Sequence, residues 1–106
     1  MKSYSALGVM VLLVLGGRAA LAAEYEVTQK DKAFSKASMD VKVGDSVNFK
    51  NEDPYHHNVF SLSDAKTFDL GSYPQGQSKK VTFDKPGKVE VECAIHPEMK
   101  LNIEVK

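Results

Sequence analysis

The sequence predicts an all-β protein, a small antiparallel β-sandwich, on three observations. Apolar residues recur at alternate positions rather than on a helical period. The alternating stretches are separated by glycine and proline turn signals, and no stretch reads as a long amphipathic helix. Short strands at this spacing in a chain of 106 residues fold as two sheets whose inner faces share one core.

Tyr25 and Val27 begin the first strand. Met39, Val41 and Val43 form the next alternating set, followed by Val47 and Phe49 after the turn signal Gly44-Asp45. Tyr73-Pro74-Gln75-Gly76 is a second turn, placed by a proline with a pre-set φ and a permissive glycine. Val81 and Phe83 alternate up to the third turn, Lys85-Pro86-Gly87. Val89, Val91 and Cys93 then share one face, as do Leu101, Ile103 and Val105 at the end of the chain.

The first 23 residues stand apart. Lys2 precedes an apolar run from Ala6 to Gly17, and Arg18-Ala19-Ala20-Leu21-Ala22-Ala23 follows. A run that short spans a bilayer poorly, and the small residues Ala20 and Ala22 fit a signal-peptidase site, so residues 1–23 read as a secretory signal cleaved after Ala22 or Ala23. The expected location is the periplasm or the exterior, with no stable membrane anchor after cleavage. Residues 24–106 then form one domain with a single thin core. Without Lys2 and Arg18, that domain has 12 basic and 14 acidic residues, a formal charge of −2. Nucleic acid as a partner is excluded by the absence of a clustered basic surface.

Chemistry concentrates in Cys93-Ala94-Ile95-His96-Pro97-Glu98-Met99, with a second histidine, His57, 36 positions before the cysteine. Cys93 is the only cysteine, so it has no intrachain disulfide partner and its presence in an exported protein calls for another role. A thiolate, two imidazoles and a weak thioether are the donors of an electron-transfer copper site. Parity along Val89, Val91 and Cys93 points the sulfur between the sheets. Pro97 keeps His96 out of helical geometry, so residues 94–98 form a loop of ordinary length between two strands.

The run from Val41 through Val43-Gly44-Asp45 to Phe49, then Asn51-Glu52-Asp53, His57-Asn58-Val59 and Cys93-x-x-His96-x-x-Met99, resembles the cupredoxins. Within the amicyanin/plastocyanin-like branch, the short His96 to Met99 spacing is most similar to the amicyanins, since plastocyanin-like proteins place more residues between those two ligands. The resemblance covers the whole of residues 24–106 and implies a Greek-key sandwich with one type 1 copper ion. It implies His57 as the upstream ligand, Cys93 as the thiolate, His96 as the downstream imidazole and Met99 as the axial ligand. It further implies that Asn58 ties the two ligand-bearing loops together, and that the edge of His96, among Pro97, Ile95 and Pro54, is the electron port. One departure stands beside the thiolate: the branch's Thr-Pro after the cysteine is Ala94-Ile95 here. Hydrogen bonding to the sulfur and loop rigidity both tune reduction potential.

The function expected from this reading is a small blue copper protein, a monomer, that shuttles single electrons between transient donor and acceptor proteins. The alternative is copper storage, delivery or scavenging without electron carriage. No enzyme is expected, because four protein ligands leave no open metal position. The carboxylates Glu24, Asp31, Asp45, Asp53, Asp64 and Asp84 show no acid–base pairing and read as strand ends and turns. His56 reads as a surface imidazole, and Tyr55 and Pro54 as residues that shape the loop.

Overall fold

The computed structural model describes residues 21–106, and the expected signal segment lies outside the described residues except for its last three positions. The strands are β1 (Glu24–Lys30), β2 (Ala33–Phe34), β3 (Ser38–Val41), β4 (Ser46–Asn51), β5 (His57–Ser63), β6 (Lys66–Tyr73), β7 (Ser78–Thr82), β8 (Gly87–Cys93) and β9 (Lys100–Val105). They form a five-stranded sheet in the order β3-β9-β8-β5-β6 and a four-stranded sheet in the order β2-β1-β4-β7. The sandwich expected from the alternation is therefore present. Its pairing is not antiparallel throughout: β1 runs parallel to β4, and β3 runs parallel to β9.

The core follows the alternating pattern. Val27, Val47, Phe49, Val81, Phe83, Val89, Val91, Leu101, Ile103 and Val105 are buried between the sheets. Fully burying a side chain of this type is favourable by about 1.5–3 kcal/mol. Phe49 bridges the layers, with its ring 6.4 Å from Phe34 and 6.2 Å from Phe68. Val43 departs from the strand expectation and is half-exposed, because β3 ends at Val41 and the chain turns. The Asp45 amide donates to the Lys42 carbonyl at 2.9 Å, and Gly44 in the third position has a φ of 100°, as a type II turn requires. Asp45 is buried and secures this corner by accepting the Lys42 and Ala23 amides, each at 2.8 Å.

A second turn bears on the site. β1 and β2 are joined by Asp31-Lys32, whose φ values are 56° and 59°. This is a two-residue type I′ hairpin turn, but neither residue is glycine or asparagine. Left-handed backbone at a lysine costs about 1–2 kcal/mol, so something outside the turn must hold it. That support comes from the segment between β4 and β5.

Candidate metal centre

Adjacent antiparallel strands bring the first two donors together. Val59 on β5 pairs with Cys93 at the end of β8, and His57 lies two residues before Val59 on the same inward face. The β5–β6 pairing shifts register between Asn58 and Phe60, a bulge that re-aims side chains beside the cluster. The loop after Cys93 is anchored where the Ala94 amide donates to the Asn58 carbonyl at 3.1 Å. Asn58 thus joins the two loops through its main-chain carbonyl, rather than through the side-chain amide that the resemblance implies. The Met99 amide donates to the His96 carbonyl at 2.9 Å, closing a turn with Pro97 in the second position, where its fixed φ fits.

The donor atoms of His57, Cys93 and His96 all lie within 4.8 Å of one another. Cys93 Sγ is 3.5 Å from His57 Nδ1 and 3.8 Å from His96 Nδ1. A metal bonded at about 2.3 Å to sulfur and about 2.0 Å to nitrogen, with the bonds opened to about 120°, separates those atoms by about 3.7 Å. The two distances straddle that value, so the sulfur already stands from each imidazole nitrogen as it would in a trigonal thiolate–imidazole site. His57 and Cys93 are buried, His96 is half-exposed, and Met99 is buried at the end of the loop. A soft thiolate with two imidazoles is a donor set that copper fits, and a thioether would complete it as a weak fourth donor.

Asp53 was read from the sequence as a solvated turn carboxylate, and the structure buries it at 2% exposure. Its Oδ2 lies 2.6 Å from His57 Nε2. The two strained turn residues donate to the same carboxylate, Asp31 N to Oδ1 at 2.6 Å and Lys32 N to Oδ2 at 3.1 Å. Burial pushes the Asp53 carboxyl up, but the His57 hydrogen bond and these two amides outweigh it and hold the carboxyl below its ordinary value. The ionised carboxylate only accepts, so the hydrogen between the pair belongs to His57 Nε2. Nδ1 is the nitrogen turned toward Cys93. A carboxylate on the outer nitrogen of a metal-binding histidine fixes ring orientation and raises its basicity. The spacing itself was the available signal: an aspartate four residues before a metal-binding histidine.

The segment behind this pair is held by further buried polar groups. Asn51 Oδ1 accepts the Asp53 amide at 2.8 Å, and Asn51 Nδ2 donates to the carbonyls of Tyr55 and Tyr73 at 2.8 and 2.9 Å. The Tyr73 hydroxyl lies 3.2 Å from both Gln29 Oε1 and the Phe49 carbonyl. Its burial raises the phenol to about 12. Residues 51–57 therefore form a braced corner, and His57 is its innermost member.

Residues 21–106 match the family described as copper binding proteins, plastocyanin/azurin family. The methylamine utilization protein MauL of Methylorubrum extorquens is 30% identical over 87 residues, covering 81% of this chain and 76% of that protein. Among solved structures, the fold is similar to a variant of amicyanin in its reduced Cu(I) form at pH 4. That match has a TM-score of 0.72 and 24% identity, and covers 84% of this chain and 87% of the other. The fold is also similar to the Cu-containing nitrite reductase NirK from Thermus scotoductus, with a TM-score of 0.74 and 26% identity over 89% of this chain. The chain spans only 25% of that reductase.

Proposed function

The chain belongs to the plastocyanin/azurin family of copper-binding proteins, and on that premise we propose that it carries single electrons between protein partners in the periplasm. Its type 1 copper site is held by His57, Cys93, His96 and Met99. The observation that carries this reading is the preformed triangle, with sulfur 3.5 and 3.8 Å from two imidazole nitrogens before any metal is counted. Copper, when bound, supplies a one-electron couple whose two oxidation states accept the same donors.

The protein's own contribution is to keep those donors still and dry. Cys93, at 2% exposure, is shielded from water between the sheets. His57 is locked by Asp53. Met99, buried at the end of the Pro97 turn, would supply a weak, soft fourth donor. His96 is the one half-exposed donor, flanked by Ile95, which is 51% exposed, and by exposed Pro97. An electron therefore has its shortest path out through the His96 edge. A small apolar surface there suits brief contact with a redox protein. The periplasmic location rests on the signal-like pattern of residues 1–23, and the first measurement of it is N-terminal sequencing of the exported protein.

The test of function is the optical spectrum of residues 24–106 after one equivalent of copper(II), with Cys93→Ser as control, followed by voltammetry. The expected result is an intense thiolate-to-copper band that is absent in the control, bleaches with reductant and returns on oxidation. A colourless protein that binds copper weakly would refute the site. A blue protein that hands its copper rapidly to a chelator, without reversible electrochemistry, would favour storage or delivery.

A further inference from the structure

The two imidazoles of the site are supported unequally. His57 has Asp53 on its outer nitrogen at 2.6 Å and is fully buried. The only polar side-chain contact of His96 among the described residues is Cys93 Sγ, 3.8 Å away on the metal-facing side. Its loop is anchored through main-chain bonds at Ala94 and Met99, and neither of these fixes the rotation of the ring. What touches the ring is aromatic. Tyr55 meets it in a T-shaped pair, with centroids 5.6 Å apart and an interplanar angle of 65°, and His57 lies 5.0 Å away at 61°.

Tyr55 also packs on His57, at 5.6 Å and 53°. The three rings thus close a triangle in which each contacts the other two. Tyr55 is itself restrained from both ends. Its carbonyl accepts from the buried Asn51 amide at 2.8 Å, and Lys32 Nζ stands 5.8 Å from its ring centroid. The strained hairpin turn therefore braces the site twice, through main-chain amides on Asp53 and through the Lys32 side chain over Tyr55.

We propose that Tyr55 is the positioning residue of His96, the wall that keeps the half-exposed imidazole turned toward Cys93. This rests on the copper reading and assigns to Tyr55 a part that loop shaping does not cover. Edge-to-face pairing at these distances favours one ring orientation over its rotated alternatives. The aromatic edge does this work, and the hydroxyl is dispensable. A ring held in advance binds metal without an ordering cost and releases it slowly.

The experiment compares wild type with Tyr55→Ala, Tyr55→Phe and Tyr55→Leu, each first melted without metal to establish that it folds. In the metal-free proteins, ring resonances of His96 and His57 are followed by 1H–15N NMR. In the copper(I) proteins, transfer of metal to excess bathocuproine disulfonate is timed. Tyr55→Ala should broaden the His96 ring signals while those of His57, held by Asp53, stay sharp. It should also speed copper(I) loss about tenfold, equivalent to about 1.4 kcal/mol. Tyr55→Phe should match wild type. Tyr55→Leu, which fills the space without an aromatic edge, should follow Tyr55→Ala and serves in its place if the alanine variant does not fold.

Tyr55→Ala and Tyr55→Leu with wild-type His96 signals and release rates would overturn the proposal. So would Tyr55→Phe behaving like Tyr55→Ala, or equal broadening of both histidines. A wild-type protein with no blue band would instead overturn the carrier reading beneath it, which separates the two failures.

Discussion

Asparagine in place of Asp53 keeps the shape of the side chain and removes one acceptor atom and the charge. Asp53 accepts from Asp31 N on Oδ1 and from Lys32 N and His57 Nε2 on Oδ2. In the better of the two amide orientations, the asparagine oxygen takes the Oδ2 position and keeps two donors. Its NH2 then faces the Asp31 amide, donor against donor. Leaving one donor unsatisfied in this corner costs about 1–3 kcal/mol, and turning two charge-assisted bonds into neutral ones costs about 1 kcal/mol each. The sum is about 3–5 kcal/mol, a large part of the stability of a small domain. Even 3 kcal/mol lowers the melting temperature by roughly 12–24 °C at this chain length. The assay is thermal and urea unfolding of the metal-free variant, followed by competition for copper, where loosening the partner of a ligating histidine weakens binding about 10–100-fold. A loss below about 1 kcal/mol with unchanged copper affinity would refute the argument that this carboxylate supports both the Asp31-Lys32 turn and His57.

Asp45 should give a pH signature of the opposite corner of the fold. The Lys42 amide, then the Ala23 amide, hold its carboxyl below the ordinary 3.8. Its stabilisation is therefore complete above that ordinary value and disappears as pH falls through the lowered folded value. In a chain that keeps Ala23, Asp45→Asn should melt below wild type at about pH 7, with the gap closing as pH falls below the ordinary carboxylate range; a gap that stays constant into acid would count against the assignment. Gly87→Ala meets a φ of 139° and places its Cβ 2.9 Å from Ala65 Cβ. It should cost about 2 kcal/mol, and adding Ala65→Gly should recover only the steric part, as chemical denaturation of the single and double variants will show. Among the described residues Gln29 Nε2 is buried without a hydrogen-bond partner, while the Tyr73 hydroxyl retains the Phe49 carbonyl. Gln29→Leu should therefore be neutral or stabilising by up to about 2 kcal/mol, and a clear loss in urea unfolding would show that this amide has a partner in solution.

The sheets were legible where apolar residues face inward. Val47 with Phe49, Val81 with Phe83, Val89 through Cys93 and Leu101 through Val105 all stand buried where alternation places them. The β5–β6 hairpin was not read from the sequence, because its inward positions include His57, Ser61 and Tyr73 while Leu62 points outward at 75% exposure. A functional strand that puts polar groups inside erases the signal by which strands are recognised. The parallel pairs β1–β4 and β3–β9 were equally hidden, since period-2 alternation gives a strand's faces and not its direction. At the site, the residues that touch metal declare themselves by chemistry and spacing. Tyr55 does not, and Asp53 shows only as an aspartate four residues before His57, because their roles come from a fold that closes a hairpin turn over the loop between β4 and β5.

The asymmetry between the two imidazoles follows from what each must do. A ligand deep in the sandwich needs its outer N–H satisfied, because an unpaired buried donor is costly, and Asp53 satisfies it while fixing the ring. On the proposed carrier role, the ligand at the electron exit must keep its outer edge near solvent and partner, so a carboxylate there would both block the contact and add a charge to it. Ring packing by Tyr55 is the remaining way to orient His96 without covering it. The strained Asp31-Lys32 turn then makes sense as the element common to both supports. Its amides hold the carboxylate behind the inner histidine, and its lysine stands over the aromatic ring beside the outer one. Relaxing that turn should disturb both ligands together, whereas removing Tyr55 should release His96 alone.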